Sequence, residues 1–461
     1  MIFEQFYLDC LSQASYLIAD ESTGRAVVVD PRRDIEQYVE SAKEHGVAIE
    51  LVIDTHFHAD FLSGHLELAE ATGAQIGFGA RGQTEFATRA LHDGERISLG
   101  DVTLEILETP GHTPESISIV VYEHADDTVP YGVLTGDTLF IGDVGRPDLL
   151  ASVGVTSEEL AHMLYESLTG KLLKLPDATR VFPGHGAGSA CGKNLSTDLS
   201  STIGEQRAGN YALQPMTPAE FIQVVTEGQA AAPAYFGYDA RRNREAHALL
   251  HEHDRPTALT IEAALERERR GAVLLDTRDA TAFATGHLIG SVNVGLEGRY
   301  AQYVGSVVRP EEEIVLLAEP GTELEAKVRL SRIGYDGAVG FVDCMYAVFQ
   351  QRPELVQIAS RLTTGAFAER CRTISNVQVI DVRNPGEVEH GTIPGAVAIP
   401  LPVLRDQLDT LDPTTPTVVF CAGGYRSSIA ASLLRHSGFK DVSDILGGFQ
   451  AWETAQIRTK S

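Results

Sequence analysis

Long apolar runs are missing from this chain. No stretch approaches the roughly 18 consecutive apolar residues that a membrane-spanning helix needs, and no membrane partner is expected. The N-terminus, MIFEQFYLDCLSQ, has no basic segment ahead of an apolar one, so no secretory signal is expected either. Cysteine is scarce: Cys10, Cys191, Cys344, Cys371 and Cys421 are odd in number and scattered. They do not form a disulfide framework, which points to the cell interior and a cytoplasmic location. Basic residues are few, 37 Lys and Arg against 64 Asp and Glu, for a formal net charge of −27. That balance argues against nucleic-acid binding and against docking on anionic lipid. General solubility accounts for it.

What is present is ordinary globular composition spread over 461 residues, more than one hydrophobic core organises, so about three domains are expected. In the first half, short apolar runs alternate with helix-patterned stretches. Ala26–Val29, Leu51–Ile53, Val102–Leu107, Tyr131–Leu134 and Val181–Phe182 read as strands, and each of the last four runs into a segment carrying His or Asp. Near Arg241–Pro256 the apolar pattern stops and charge rises, which predicts a helical exit from the first domain and a linker.

The second half contains an internal repeat. VLLDTRDATAFATGHLIGSVNVGL, residues 273–296, aligns at constant offset with QVIDVRNPGEVEHGTIPGAVAIPL, residues 378–401. Asp276 and Arg278 fall on Asp381 and Arg383, and EEIVLLAEPG falls on PTVVFCAGG farther on. Strands alternating with helices in each copy predict two small α/β domains with parallel sheets, joined near residues 350–364.

Four motifs bring potential metal ligands to strand ends. THFHAD holds His56, His58 and Asp60; TPGHT holds His112; TGD holds Asp137; FPGH holds His185. A lone histidine is usually a surface or core residue. Imidazoles and carboxylates placed after successive strands are hard to explain that way, and they suit zinc or iron. In this order and spacing the motifs resemble the metallo-β-lactamase superfamily over residues 1–245. The resemblance implies an αββα sandwich with the metal at one edge. Hydrolases of the superfamily such as glyoxalase II read H-x-H-x-D-H in the first motif and hold two metals; here the last of those positions is Phe61, which cannot ligate.

The superfamily's persulfide dioxygenases imply another arrangement: one Fe(II) held by His56, His112 and Asp137, with zinc as the alternative metal. His58, Asp60 and His185 then become remnants of the second site, hydrogen-bonding residues behind the ligands or substrate-pocket residues. The stretches DFLSGH, HGAGSACGK and GRPDL extend this resemblance. Arg146 and Asp148 are candidates to support the substrate pocket. Cys191 is placed either to touch a thiol substrate or to be a small buried residue in a Gly-rich loop.

In the last domain, the strand TVVF opens into CAGGYRSS before an apolar-patterned helix. A cysteine there faces converging backbone N–H groups and a helix N-terminus, which stabilise a thiolate or a persulfide. Residues Cys421, Ala422, Gly423, Gly424, Tyr425 and Arg426 resemble the rhodanese active-site loop, with Arg426 adding positive charge for an anionic donor. In the twin, Ala318 falls on Cys421 and Glu319 brings negative charge. Residues 259–355 therefore read as an inactive rhodanese homologue, a spacer or docking platform, and 362–461 as the active one.

Together the resemblances imply oxidation of a small-molecule thiol persulfide by O2 to sulfite and thiol, joined to sulfur transfer among persulfide, sulfite and thiosulfate through Cys421. They also imply a homo-oligomer. A dinuclear zinc thioester hydrolase of the glyoxalase II type with accessory rhodanese domains is the alternative. So is a non-oxidative sulfur-relay protein.

Overall fold

The computed structural model describes residues 1–149, 154–229 and 231–460. They form two units: Met1–Gln229 with Phe236–Glu252, and His253 onward with the short segment 231–235.

The first unit is built on two six-stranded sheets. One runs, in spatial and chain order, Ile2–Leu8, Gln13–Asp20, Arg25–Val29, Ala48–Ile53, Gln75–Gly79 and Arg89–Leu91. The other runs Ser201–Thr202, Arg180–Pro183, Gly132–Gly136, Ile117–Tyr122, Thr103–Glu108 and Arg96–Ser98. Alternating side chains of both sheets meet in one core, in which Tyr16, Val27, Val29, Ile53, Leu104, Ile106, Ile119 and Leu134 are buried. The opposite faces are covered by helices. Leu17, Val28 and Val52 pack on Tyr38 and Leu68, from helices Glu36–His45 and His65–Thr72. Val120, Val133 and Val181 pack on Leu164 and Phe221, from helices Ser157–Gly170 and Pro218–Thr226. Helix, sheet, sheet, helix is the expected αββα layering.

The five predicted strands fall on observed ones. Gln13–Asp20 was not predicted; it is buried along its whole length although Gln, Ser and Asp interrupt its apolar residues. The expected linker differs more. Helix Phe236–Arg242 is followed by residues that pack back on the first unit: Asn243 is fully buried, and the Leu250 N–H donates to Glu67.

The second unit holds the repeat as two five-stranded sheets of equal strand order. In one, Ala258–Leu259, Ala338–Val342, Ile314–Leu317, Val273–Asp276 and Val292–Asn293 lie side by side. In the other, Ser360–Leu362, Val442–Ile445, Thr417–Phe420, Gln378–Asp381 and Val397–Ala398 do. Every pairing in both sheets is parallel. No helix among the described residues is long and apolar enough to cross a membrane.

Candidate metal centre and cysteine loop

Four strand ends meet at one rim of the sandwich. Ala48–Ile53 leads to Thr55 and His56, and the loop after Thr103–Glu108 carries His112. Gly132–Gly136 ends at Asp137, and Arg180–Pro183 runs into His185. His56, His112, Asp137 and His185 are all at most 2% exposed. His56 Nε2 and His112 Nε2 face Asp137 Oδ2 at 3.8 and 3.6 Å. His56 Nε2 and Asp137 Oδ2 are buried without a hydrogen-bond partner. Orphaned buried acceptors are costly unless something binds them. A cation among these three donors, which lie within 4.8 Å of one another, satisfies them all.

Each donor is aimed from behind. His56 Nδ1 lies 2.9 Å from Thr55 Oγ1, which donates onward to Asp30 Oδ2 at 2.9 Å. His112 Nδ1–H donates to the Arg146 carbonyl at 2.9 Å. Asp137 Oδ1 receives His185 Nδ1–H at 2.8 Å. Such outer hydrogen bonds fix the tautomer and direction of a ligand. Gly145 makes the close approach possible: a Cβ there would lie 1.8 Å from the Asp137 carbonyl oxygen.

The charge states follow. Burial, and then the neighbouring His58, holds His56 well below the usual imidazole range, so its lone pair is available. Burial would raise Asp137, but His185 and then His56 and His112 outweigh it and keep the carboxylate ionised. His185 is held well above its ordinary value. Burial opposes its proton; Asp137 and Asp60, the latter 2.8 Å from Nε2, outweigh burial.

His58, Asp60 and His185, expected as remnants of a second site or as residues behind the ligands, fall into two groups. His58 belongs to a buried group with Asp30 and Asp54, while Asp60 and His185 group with Cys191. His58 Nε2 is 3.0 Å from Asp30 Oδ1, and Phe61, fully buried, lies with its ring centroid 4.2 Å from that of His58. Cys191 is buried, and burial, then Asp60 and Asp137, push its thiol well above the usual value. The Arg146 guanidinium makes two 2.7 Å bonds to Asp148 and one to the Ala190 carbonyl, while its backbone N–H donates to the Cys191 carbonyl. Arg146 and Asp148 thus brace the loop that carries Cys191.

Asp30, Thr55 and Asn243 were missed in the sequence. Asn243 donates to the His58 and Phe61 carbonyls at 2.8 and 2.9 Å and so pins the histidine motif. Asp30 carried a usable signal, an acid directly after an apolar strand, the same pattern that marks Asp137. Nothing in the sequence marks Asn243.

In the second unit, Cys421 follows Thr417–Phe420 and is 1% exposed. The Gly424 N–H donates to its Sγ at 3.1 Å. The loop carbonyls are bound elsewhere: those of Cys421 and Ala422 accept the N–H groups of Phe449 and Gln450, from the first turn of helix Gly448–Lys460. Gly448, at φ +58°, allows this contact, since a Cβ there would lie 2.2 Å from the Cys421 carbonyl oxygen. Ala318 follows Ile314–Leu317 as Cys421 follows its own strand, and Glu319 accepts the Tyr346 hydroxyl.

Two loop residues do not face the sulfur as free groups. The Tyr425 hydroxyl donates to the Gly295 and Glu297 carbonyls of the twin domain, and its ring lies 5.3 Å from that of Tyr303, also of the twin. Burial pushes the Tyr303 hydroxyl up, with Arg426 opposing and Cys421 adding to it. The twin therefore contacts the cysteine loop directly. Arg426, expected to face an anionic donor, makes a two-pronged bond to Glu387 at 2.7 and 2.8 Å.

Residues 8–185 match the metallo-beta-lactamase superfamily, and residues 260–351 and 366–455 each match the rhodanese-like domain. A solved metallo-beta-lactamase of Staphylococcus aureus is 34% identical, covers 74% of this chain and 98% of its own, and superposes with a TM-score of 0.67. The chain belongs to the metallo-β-lactamase superfamily and carries tandem rhodanese-like domains behind that fold. It is similar to a cytoplasmic hydroxyacylglutathione hydrolase of Arabidopsis thaliana, 36% identical over 39% of this chain and 66% of the relative. It is also similar to the mitochondrial persulfide dioxygenase ETHE1 of Bos taurus, 26% identical over 50% of this chain and 82% of the relative. The chain spans 66% of the length of the Arabidopsis hydrolase, 52% of a beta-lactamase hydrolase-like protein of Agrobacterium fabrum and 56% of a hydroxyacylglutathione hydrolase-like protein of Mus musculus.

Proposed function

We propose that the first unit oxidises a thiol persulfide with O2 at a single Fe(II) held by His56, His112 and Asp137, and that Cys421 transfers sulfane sulfur. The observation carrying this reading is the convergence of two imidazoles and one carboxylate while His58 is tied to Asp30 and Phe61 stands in place of a ligand. Three protein donors on one side suit non-haem iron with open positions. Iron(II) there would supply the redox chemistry that lets O2 react with sulfur. The protein's part is to bind, orient and exclude water. Thr55, the Arg146 carbonyl and His185 hold the three donors, and burial keeps the centre dry.

The overall reaction balances as one persulfide, one O2 and one water giving one thiol, one sulfite and two protons. At Cys421 the thiolate attacks the outer sulfur of a persulfide; the S–S bond breaks, and the thiol leaves with the proton. Sulfite then attacks the Cys421-borne sulfur, releasing thiosulfate and restoring the thiolate. Both the bovine likeness and the rhodanese-like domains support a sulfur substrate.

The Arabidopsis likeness and the grouping of Asp60, His185 and Cys191 favour a second reading, a dinuclear zinc thioester hydrolase. Elemental analysis with an oxygen electrode separates them. One iron per chain and O2 uptake on glutathione persulfide are expected. Two zinc ions with thioester cleavage and no O2 uptake would establish the second reading instead.

A further inference from the structure

Three arginines surround the Cys421 loop, and each is matched by a carboxylate. Arg383 bonds to Asp381, Arg361 to Asp444, and Arg426 to Glu387. Asp381 and Asp444 are at most 1% exposed, so their pairs belong to the domain core. Glu387 differs, with its side chain 35% exposed at the mouth of the site. It is also held rigidly: it is the third residue of helix Pro385–Glu389, and its Oε2 accepts the Asn384 N–H at 3.1 Å in a capping box.

Beside it lies a shallow, open hollow of about 410 Å³ lined by Ala422, Phe449, Gln450, Arg383, His390 and Glu387. That volume suits an organic molecule. Phe449 and Ala422 give it an apolar wall, and the Arg383 guanidinium stacks over Phe449 at 4.2 Å. Unbalanced positive charge strengthens the binding of a small dianion, and here each of the three guanidiniums is paired with a carboxylate. The Gly424 N–H at Sγ remains, and one such donor suits one terminal sulfur.

We propose that Glu387 sets donor selectivity at Cys421. By neutralising Arg426 it weakens capture of thiosulfate as a donor and leaves the cavity to sulfane sulfur carried on an organic thiol. Weak oxyanion binding also lets thiosulfate leave once formed. This rests on Cys421 being a sulfur-transfer site.

The test is Glu387→Gln in the full chain, since glutamine keeps the capping bond without the charge. Thiosulfate binding is measured by calorimetry, and kcat/KM is compared for thiosulfate and glutathione persulfide as donors. Thiosulfate should bind roughly tenfold tighter, with KM for thiosulfate falling alike and the thiosulfate-to-persulfide ratio of kcat/KM rising. Adding Arg426→Gln should abolish the gain. Unchanged thiosulfate affinity and donor ratio in folded Glu387→Gln would overturn the proposal. Should that variant not fold, Glu387→Asp, which retracts the carboxylate, must show the same direction of change or the proposal fails. A wild type that transfers sulfur from no donor refutes the role of Cys421, whereas the thiosulfate affinities still decide that of Glu387.

Discussion

His58 Nε2 lies 3.0 Å from Asp30 Oδ1, and both side chains are buried at the back of the metal centre. Asp30 also takes the Thr55 N–H and hydroxyl, and through Thr55 it orients His56. One carboxylate thus aims the proposed ligand His56 and restrains its neighbour His58. It is held at φ +52°, a backbone region that few residues other than glycine occupy. Asp30→Ala should lower metal affinity by about 10- to 100-fold without removing any ligand. Competition against a chelator measures this, and an affinity equal to the wild type's would dismiss Asp30 as a positioning residue.

His112→Ala or Asp137→Ala should remove the bound metal and the O2 uptake. Sulfur transfer at Cys421 should persist, because the second unit has its own core, with Phe420 and Ile445 buried in the last domain and Leu274 and Val315 in its twin. Metal content, oxygen consumption and sulfurtransferase rate, taken on the same preparation, check all three. Full metal occupancy in either variant would contradict the ligand set.

Cys421→Ser should abolish sulfur transfer, since a hydroxyl is a far weaker nucleophile and cannot form a persulfide. Oxidation of supplied persulfide should continue, with sulfite accumulating and thiosulfate falling. Product chromatography reads both. Thiosulfate at wild-type yield would redirect attention to Cys191 or Cys344.

His287, in the twin domain, is fully buried with its ring stacked 3.7 Å from Phe283, and burial lowers its pKa to about 4. In the unfolded chain its ordinary value is 6.5. The fold favours the neutral ring, so this stability is complete above the unfolded value and is lost as pH falls from that value to the folded one. Between pH 7 and 4.5 the loss should be roughly 2–3 kcal/mol. Thermal unfolding of wild type and His287→Phe at both pH values tests it, and equal acid sensitivity in the two would discount His287.

Much was legible in the sequence because it is local. A histidine or aspartate directly after an apolar run marks a strand end, and the repeat at residues 273–296 and 378–401 aligned the twin strands that the structure shows in equal order. Strand Gln13–Asp20 was hidden because its polar residues are buried through distant partners: Gln13 donates to the Asp30 carbonyl, and the Ser15 hydroxyl is 2.7 Å from that of Tyr38. No period within the strand itself records such bonds.

By itself the sequence determined the chemical inventory: which imidazoles, carboxylates and thiol exist, their order, and the absence of a thiol at Ala318. Tertiary structure alone decided which of them are engaged. Asp30 reaches His58 across 28 residues, Glu387 reaches Arg426 across 39, and the Gly295 carbonyl reaches Tyr425 across 130. Each pairing consumes a charge, a nitrogen or a hydroxyl that the motif presents as available. Electrostatics and hydrogen bonding act over a few ångströms of space, and folding, not position along the chain, brings those partners within range.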